Sequence, residues 1–255
     1  GIVYFDTEGA ITKELLVKRG MDHTGTQFLT IDCLTVEDFR NVAYKILDKY
    51  NSQKEEDRQP MLMVLDSLGN LSTEKETKDI ADGKSVRDMS KAQLVKGAFR
   101  VLTQKLSIAK VPLIVLNHTY DVIGSYMPTK EMGGGSGLKY AATTIIYLSK
   151  SQEKEGTERV GNIIKAKVAK SRISKENEQV ATRLYYDQRG LDKYYGLLEL
   201  AEKGGIWKKV STRYEVDGKK IYASEIYKNP EKYFTQEVLE KIDTVAKQTF
   251  SYGEK

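Results

Sequence analysis

The chain has 255 residues and a mass of 28.9 kDa, enough for one large α/β domain or a domain with a small appendage. With 40% of residues in the AVILMFWYC set, 30% charged and a mean hydropathy of −0.50, disorder is excluded as the default. No apolar run reaches the roughly 18 residues of a membrane span, and GIVYFDTEGA lacks a secretory leader's pattern. Cys33 is the single cysteine and His23 and His118 the only histidines, which excludes a disulfide framework, speaks against a Cys/His zinc site and fits a reducing cytoplasm. A net charge of +5 is compatible with nucleic acid without requiring it.

In chain order, apolar runs at 2–5, 27–31, 61–65, 113–116 and 144–148 alternate with amphipathic stretches, so a mostly parallel sheet covered by helices is predicted. Thr35 is a good N-cap, and Val36, Phe39, Val42, Ala43, Ile46, Leu47 and Tyr50 trace one face of the helix it opens. A second long helix is predicted over 88–106, with Leu94, Val95, Ala98, Phe99, Val101 and Leu102 as its stripe. Beyond 148 the pattern changes: IIKAKVAKSR, TRLYYDQRG and TRYEVDGKKIYA read as antiparallel strands and hairpins, with Asp217 and Gly218 as a turn. Past Gly204 and Gly205 a small module closes with a helix from about Thr235, packed through Val238, Leu239, Ile242, Val245 and Ala246.

Three strand ends deliver chemistry at the carboxyl edge where open α/β sheets bind ligands. MLMVLDSL ends in Asp66 and Ser67; in nucleotidases with an added catalytic acid, such an aspartate holds Mg²⁺ through water. YFDTEG places Glu8 just past another strand, where a carboxylate can polarise an attacking water. LIVLNHTY brings Asn117 and His118 to the same edge, as polar groups that can sense a phosphate. Taken singly, each has a plainer reading, the acids as turn residues and His118 as a rim histidine; together they point to one site.

Two loops and one strand carry cations. The glycine-rich stretch after His118 fits no GxGxxG register, and its Tyr120, Tyr126, Met127, Lys130 and Lys139 combine stacking or wedging groups with positive charge, as single-strand binders do; a plain surface loop is the alternative. A second loop contributes Lys84, Arg87 and Lys91 near the start of the second long helix. The GKS at 83–85 lacks the glycine five positions earlier that a phosphate loop needs, since Lys78 stands there. Lys165, Lys167, Lys170, Arg172 and Lys175 occur without an intervening acid. Period-two geometry puts Lys165 and Lys167 on the side opposite Lys170 and Arg172 if the extended conformation persists, and the last two could reach a phosphate across a subunit boundary.

In their order, YFDTEGAIT, MVLDSLGNL, LIVLNHTYD, GGGSGLKYAA, VAKSRIS and YYGLLELAEKGG resemble the core of the RecA-type recombinase family, in particular its T4-like phage branch, over about residues 1–210. The resemblance implies an α/β fold of the RecA-like P-loop NTPase (ASCE) type, with a mostly parallel sheet, helices on both faces and a small α+β C-terminal module. It implies an ATPase core over 1–203 and the module over 204–255. The activity implied is ATP- and Mg²⁺-dependent filament formation on single-stranded DNA, with pairing and strand exchange against homologous duplex DNA, in the cytoplasm of a phage-infected cell and without a membrane.

Carried over by residue, the resemblance makes Glu8 the catalytic carboxylate, Asp66 the acid on the metal, and His118 the ATP sensor. Ser67 and Asn117 lie at the nucleotide, and Lys170 with Arg172 contact ATP on a neighbouring protomer. The first DNA-binding loop falls at 80–94 (Lys84, Arg87, Lys91) and the second at 120–136 (Tyr126, Met127, Lys130). The family's GxxxxGK[ST] loop and its strand do not occur in these 255 residues, so the chain is expected to be a fragment of a longer reading frame, its missing strand falling between 113–116 and 144–148. Leu15 stands where bacterial relatives stack a tyrosine on adenine, so base recognition does not carry over. A non-catalytic RecA-like DNA-binding protein and a DnaB-type hexameric helicase core are the competing expectations.

Overall fold

A computed structural model describes residues 1–21, 27–84, 90–121 and 130–252. They pack as two compact units, Gly1–Ala142 and Thr143–Lys255.

In the first unit, β1 (Ile2–Asp6), α1 (Lys13–Lys18), β2 (Phe28–Asp32), α2 (Val36–Asn51), β3 (Leu62–Asp66), α3 (Glu74–Ala81), α4 (Lys91–Ala109) and β4 (Leu113–Val115) follow one another. The four strands are all parallel, in the order β2-β1-β3-β4. Alternation decides the faces: Val3 and Phe5 of β1 and Met63 and Leu65 of β3 are buried beneath α2 and α4, which pack side by side. Phe5 meets Phe39 edge-on at 5.0 Å between ring centroids, and Phe39 lies 6.1 Å from Phe99. Each such ring contributes roughly 1.5–3 kcal/mol by leaving water. Right-handed crossovers put α1 on the opposite face; its buried Leu16 stands apart from that core.

The Thr12, Thr35 and Thr73 hydroxyls each accept the N–H three residues on and so start α1, α2 and α3. The helix predicted over 88–106 runs as α4, and residues 88 and 89 lie outside the described residues. After β4 come a short hairpin of β5 (Thr119–Asp121) and β6 (Lys130–Met132) and then α5 (Gly135–Ala141).

The second unit opens with an antiparallel sheet of β7 (Thr144–Glu155), β8 (Glu158–Ser171), β9 (Gln179–Tyr185) and β10 (Leu191–Asp192), in the order β10-β9-β8-β7. It continues through α6 (Leu197–Lys203), the β-meander of β11 (Lys208–Val210), β12 (Arg213–Val216) and β13 (Lys219–Tyr222), then α7 (Ala223–Lys228), α8 (Pro230–Tyr233) and α9 (Gln236–Phe250). Asp217 and Gly218 both have positive φ, 50° and 75°, as a two-residue hairpin turn requires. Thr235 caps α9, and Val238, Leu239 and Ile242 reach a core built on Trp207, Tyr214 and Phe234.

Two expectations are corrected. The run 144–148, expected as a fifth parallel strand, is the start of β7, whose one ladder partner among the described strands is the antiparallel β8; a buried apolar run specifies a strand but not its neighbour. Its Ile146 and Leu148 are 51% and 70% exposed.

Within the second unit, Leu198 and Ala201 of α6 share the core of Trp207 and Ile226, and Gly204 lies so close to α9 that a Cβ on it would sit 2.2 Å from Val245.

The side-to-side separation of the β8 cations is also lost. Ile145 faces Lys170 while Ile146 faces Val168, so Ala169 is an extra, bulged residue. The bulge turns Lys170 to the side of Lys165 and Lys167, which face Ser149 and Tyr147.

Candidate functional site

The ladder brings the ends of β1 and β3 level, Asp6 opposite Asp66, so the residues just beyond them meet at the carboxyl edge. Asp6 is 5% exposed, and its carboxylate accepts the N–H groups of Glu8, Gly9 and Ile11 at 2.9–3.0 Å and that of Ala10 at 3.4 Å. Burial opposes its ionisation, but these amides outweigh it and hold its pKa below the ordinary range. They also curl the DTEGAI segment into a turn that carries Glu8.

Glu8, Ser67 and His118 meet. The Ser67 hydroxyl lies 3.0 Å from Glu8 Oε1 and 3.3 Å from His118 Nε2, and Nε2 stands 3.6 Å from the same carboxylate oxygen. Ser67 is buried, whereas the Glu8 and His118 side chains are 38% and 53% exposed, open to a ligand. Gly69 sits under the imidazole so closely that a Cβ there would fall 2.5 Å from His118 Cδ2. A Ser-His-Glu nucleophilic triad is not the reading, because serine and acid both face Nε2, whereas a triad needs them on opposite ring nitrogens.

Asp66 accepts the Tyr4 hydroxyl at one carboxylate oxygen. Burial first, and then Asp66, hold the Tyr4 phenol well above its usual range. A carboxylate so held keeps acceptor capacity for a metal-bound water, and one hard oxygen donor acting through water suits Mg²⁺, which keeps most of its hydration shell. Among the described residues no group of three His, Cys, Asp or Glu could hold a metal directly. Burial, with Asp38 and Asp32 nearby, pushes the Cys33 thiol up to about 11, which makes it inert.

Asn117 turns inward, donating to the Gly133 carbonyl at 2.8 Å, while its oxygen accepts the His118 N–H at 2.9 Å. His118 is thus joined to the base of the β5–β6 hairpin, where Gly133 packs against the Tyr120 ring. Of the residues assigned to DNA, Lys130 is exposed in β6 opposite Asp121. Lys84 lies 3.1 Å from Asp82 and 4.0 Å from Asp79, and Lys91 reaches the Gly69 carbonyl at 3.3 Å. Arg87, Tyr126 and Met127 lie outside the described residues. In the second unit, Lys170 is half-buried and Arg172 exposed, the latter's N–H on the Thr143 carbonyl.

Sequence reasoning passed over Tyr4, Thr7 and Gly69. A tyrosine at an alternate strand position just before DTE, and a glycine two residues after Ser67, were the available signals.

The architecture defines a class: an open, parallel α/β domain with an acid from each of two neighbouring strands and a histidine from a third gathered at one edge. Residues 5–192 match the RecA N-terminal domain family, and the chain belongs to that family. It is 34% identical over 209 residues to the "Recombination and repair protein" of Enterobacteria phage T4, covering 80% of this chain and 50% of that protein. It is 27% identical over 222 residues to "Protein RecA" of Paenarthrobacter aurescens strain TC1, covering 86% and 60%, and 27% identical over 222 residues to "Protein RecA" of Streptomyces rimosus, covering 86% and 56%. The chain thus spans about half to three-fifths of the length of these curated relatives. No helix among the described residues is long and apolar enough to cross a membrane.

Proposed function

We propose that this chain is the catalytic and DNA-contacting portion of a phage recombinase that forms ATP-dependent filaments on single-stranded DNA and exchanges strands with a homologous duplex in the infected cell's cytoplasm. The observation that carries the reading is the convergence of Glu8, Asp66 and His118 at one sheet edge in a member of the RecA family. Glu8 orients a water and takes its proton, the role a half-exposed carboxylate beyond a strand end can fill. Asp66, steadied by Tyr4, would hold the hydration shell of Mg²⁺, which when bound with ATP neutralises phosphate charge. His118 reads the nucleotide and, through Asn117 and Gly133, passes its state to the loop at 120–136. Lys84, Arg87, Lys91, Tyr126, Met127 and Lys130 contact DNA through phosphates and base faces without reading base edges, and Lys170 with Arg172 serve a neighbouring protomer's nucleotide. The catalytic core extends over 1–203, with 204–255 as an accessory module.

The test uses the full-length protein of the reading frame that contains this chain, since GxxxxGK[ST] does not occur in these residues. Glu8→Gln should lower DNA-stimulated ATP hydrolysis by about 10²- to 10⁴-fold while DNA binding persists. Turnover unchanged by Glu8→Gln would overturn the assignment.

A further inference from the structure

The β1–β3 ladder ends at Asp6 and Asp66, yet the two chains stay joined one residue further by a side chain. The Thr7 hydroxyl accepts the Ser67 N–H at 2.7 Å and donates to the Ser67 carbonyl at 2.9 Å, while the Thr7 N–H donates to the Asp66 carbonyl at 2.8 Å. One hydroxyl thereby supplies both the acceptor and the donor that the next rung of backbone would have supplied, and a hydroxyl can do both at once. Ser67 is 2% exposed, so without Thr7 its N–H and carbonyl would each lose a partner in a place water reaches poorly. Its hydroxyl is the atom that touches both Glu8 and His118.

We infer that Thr7 is a positioning residue: by clamping the Ser67 backbone it fixes the Ser67 hydroxyl, and through that hydroxyl sets the spacing between Glu8 and His118. Thr7 reaches neither Glu8 nor His118 by any hydrogen bond of its own in the structure. Valine is nearly the same shape but lacks the hydroxyl, so Thr7→Val separates the clamp from packing, whereas Thr7→Ser keeps it. The inference rests on the function proposed above, in that Glu8 and His118 are taken as the reacting pair.

Two measurements test it. In the 255-residue chain, His23 and His118 give the only two imidazole signals in a proton–carbon NMR spectrum, and His23→Gln identifies which is which. Recorded at pH 8, the His118 signal should move in Ser67→Ala and in Thr7→Val and hold its wild-type place in Thr7→Ser. In the full-length protein, Thr7→Val should lower kcat for DNA-stimulated ATP hydrolysis on the order of tenfold, the rate equivalent of about one to two hydrogen bonds, with KM for ATP within about twofold and with Thr7→Ser restoring kcat. A His118 signal unmoved by Thr7→Val, or moved as far by Thr7→Ser, overturns the inference, as does a rise in KM with kcat unchanged. Should Thr7→Val fail to fold, Thr7→Ala against Thr7→Ser is decided by the same readings. Absence of DNA-stimulated turnover in the full-length wild type would instead refute the proposed function, and the imidazole signals would still decide the clamp.

Discussion

Replacing Arg183 by alanine should destabilise the second unit severely, and the magnitude follows from its surroundings. Its guanidinium donates twice to Asp192, at 2.7 and 3.1 Å, and once to Glu153, at 2.9 Å. It lies 4.9, 4.8 and 5.4 Å from the ring centroids of Tyr185, Tyr195 and Tyr227. The side chains of Arg183, Glu153 and Asp192 are only 12%, 19% and 14% exposed, so the truncation strands two carboxylates in a poorly hydrated place. Breaking such a pair costs about 3–5 kcal/mol, a large share of the roughly 5–15 kcal/mol that holds a domain together. Trp207 is the single tryptophan and is buried in this unit's core, so its fluorescence reports urea unfolding there. With a urea slope of about 1–3 kcal/mol per molar, the midpoint should fall by at least about 1 M. Arg183→Lys, which keeps the charge but not the planar fork, should lie between. A midpoint shift below about 0.3 M for Arg183→Ala, or a lysine variant as stable as the wild type, would refute the reasoning.

Asp6 should make the first unit acid-sensitive. Its folded pKa lies below the ordinary 3.8, so its stabilisation is complete above that value and is lost as pH falls through the lowered one; urea melts of Asp6→Asn followed by circular dichroism should show a flatter dependence below about pH 4. Gly218→Ala should cost about 1–2 kcal/mol from backbone conformation alone, because φ is +75° and an added Cβ meets nothing within 4 Å; Trp207 fluorescence in urea measures it.

Much of this architecture was legible because local chemistry and tertiary packing agree. Thr35 and Thr235 open helices in the structure as their side chains predict, and the Asp217–Gly218 turn joins β12 to β13. Glu8 and His118 were recognisable as polar groups delivered by strand ends, and the fold brings them together. What escaped was decided between distant segments. The run 144–148 carries nothing that chooses an antiparallel partner over a parallel one, and Ala169 has no feature marking it as the bulge that changes the side of Lys170. Nothing in the sequence marks Arg183 as a hub, because its partners Glu153 and Asp192 are 30 and 9 residues away. Thr7 carries no local signal of its role, since its bonds to Ser67 span 60 residues.

Among the described strands β7 pairs on one side only, and its other side bears on how the isolated chain behaves in concentrated solution. An unpaired strand edge is a template for another copy, and the two halves of this one differ. The stretch from Lys150 to Glu155 alternates charges that repel or solvate an incoming strand, whereas residues 144–148, with Ile146 and Leu148 open to water, carry no such guard. Aggregation should therefore begin at the amino-terminal half of β7, and a lysine in place of Leu148 is the change that keeps preparations clear.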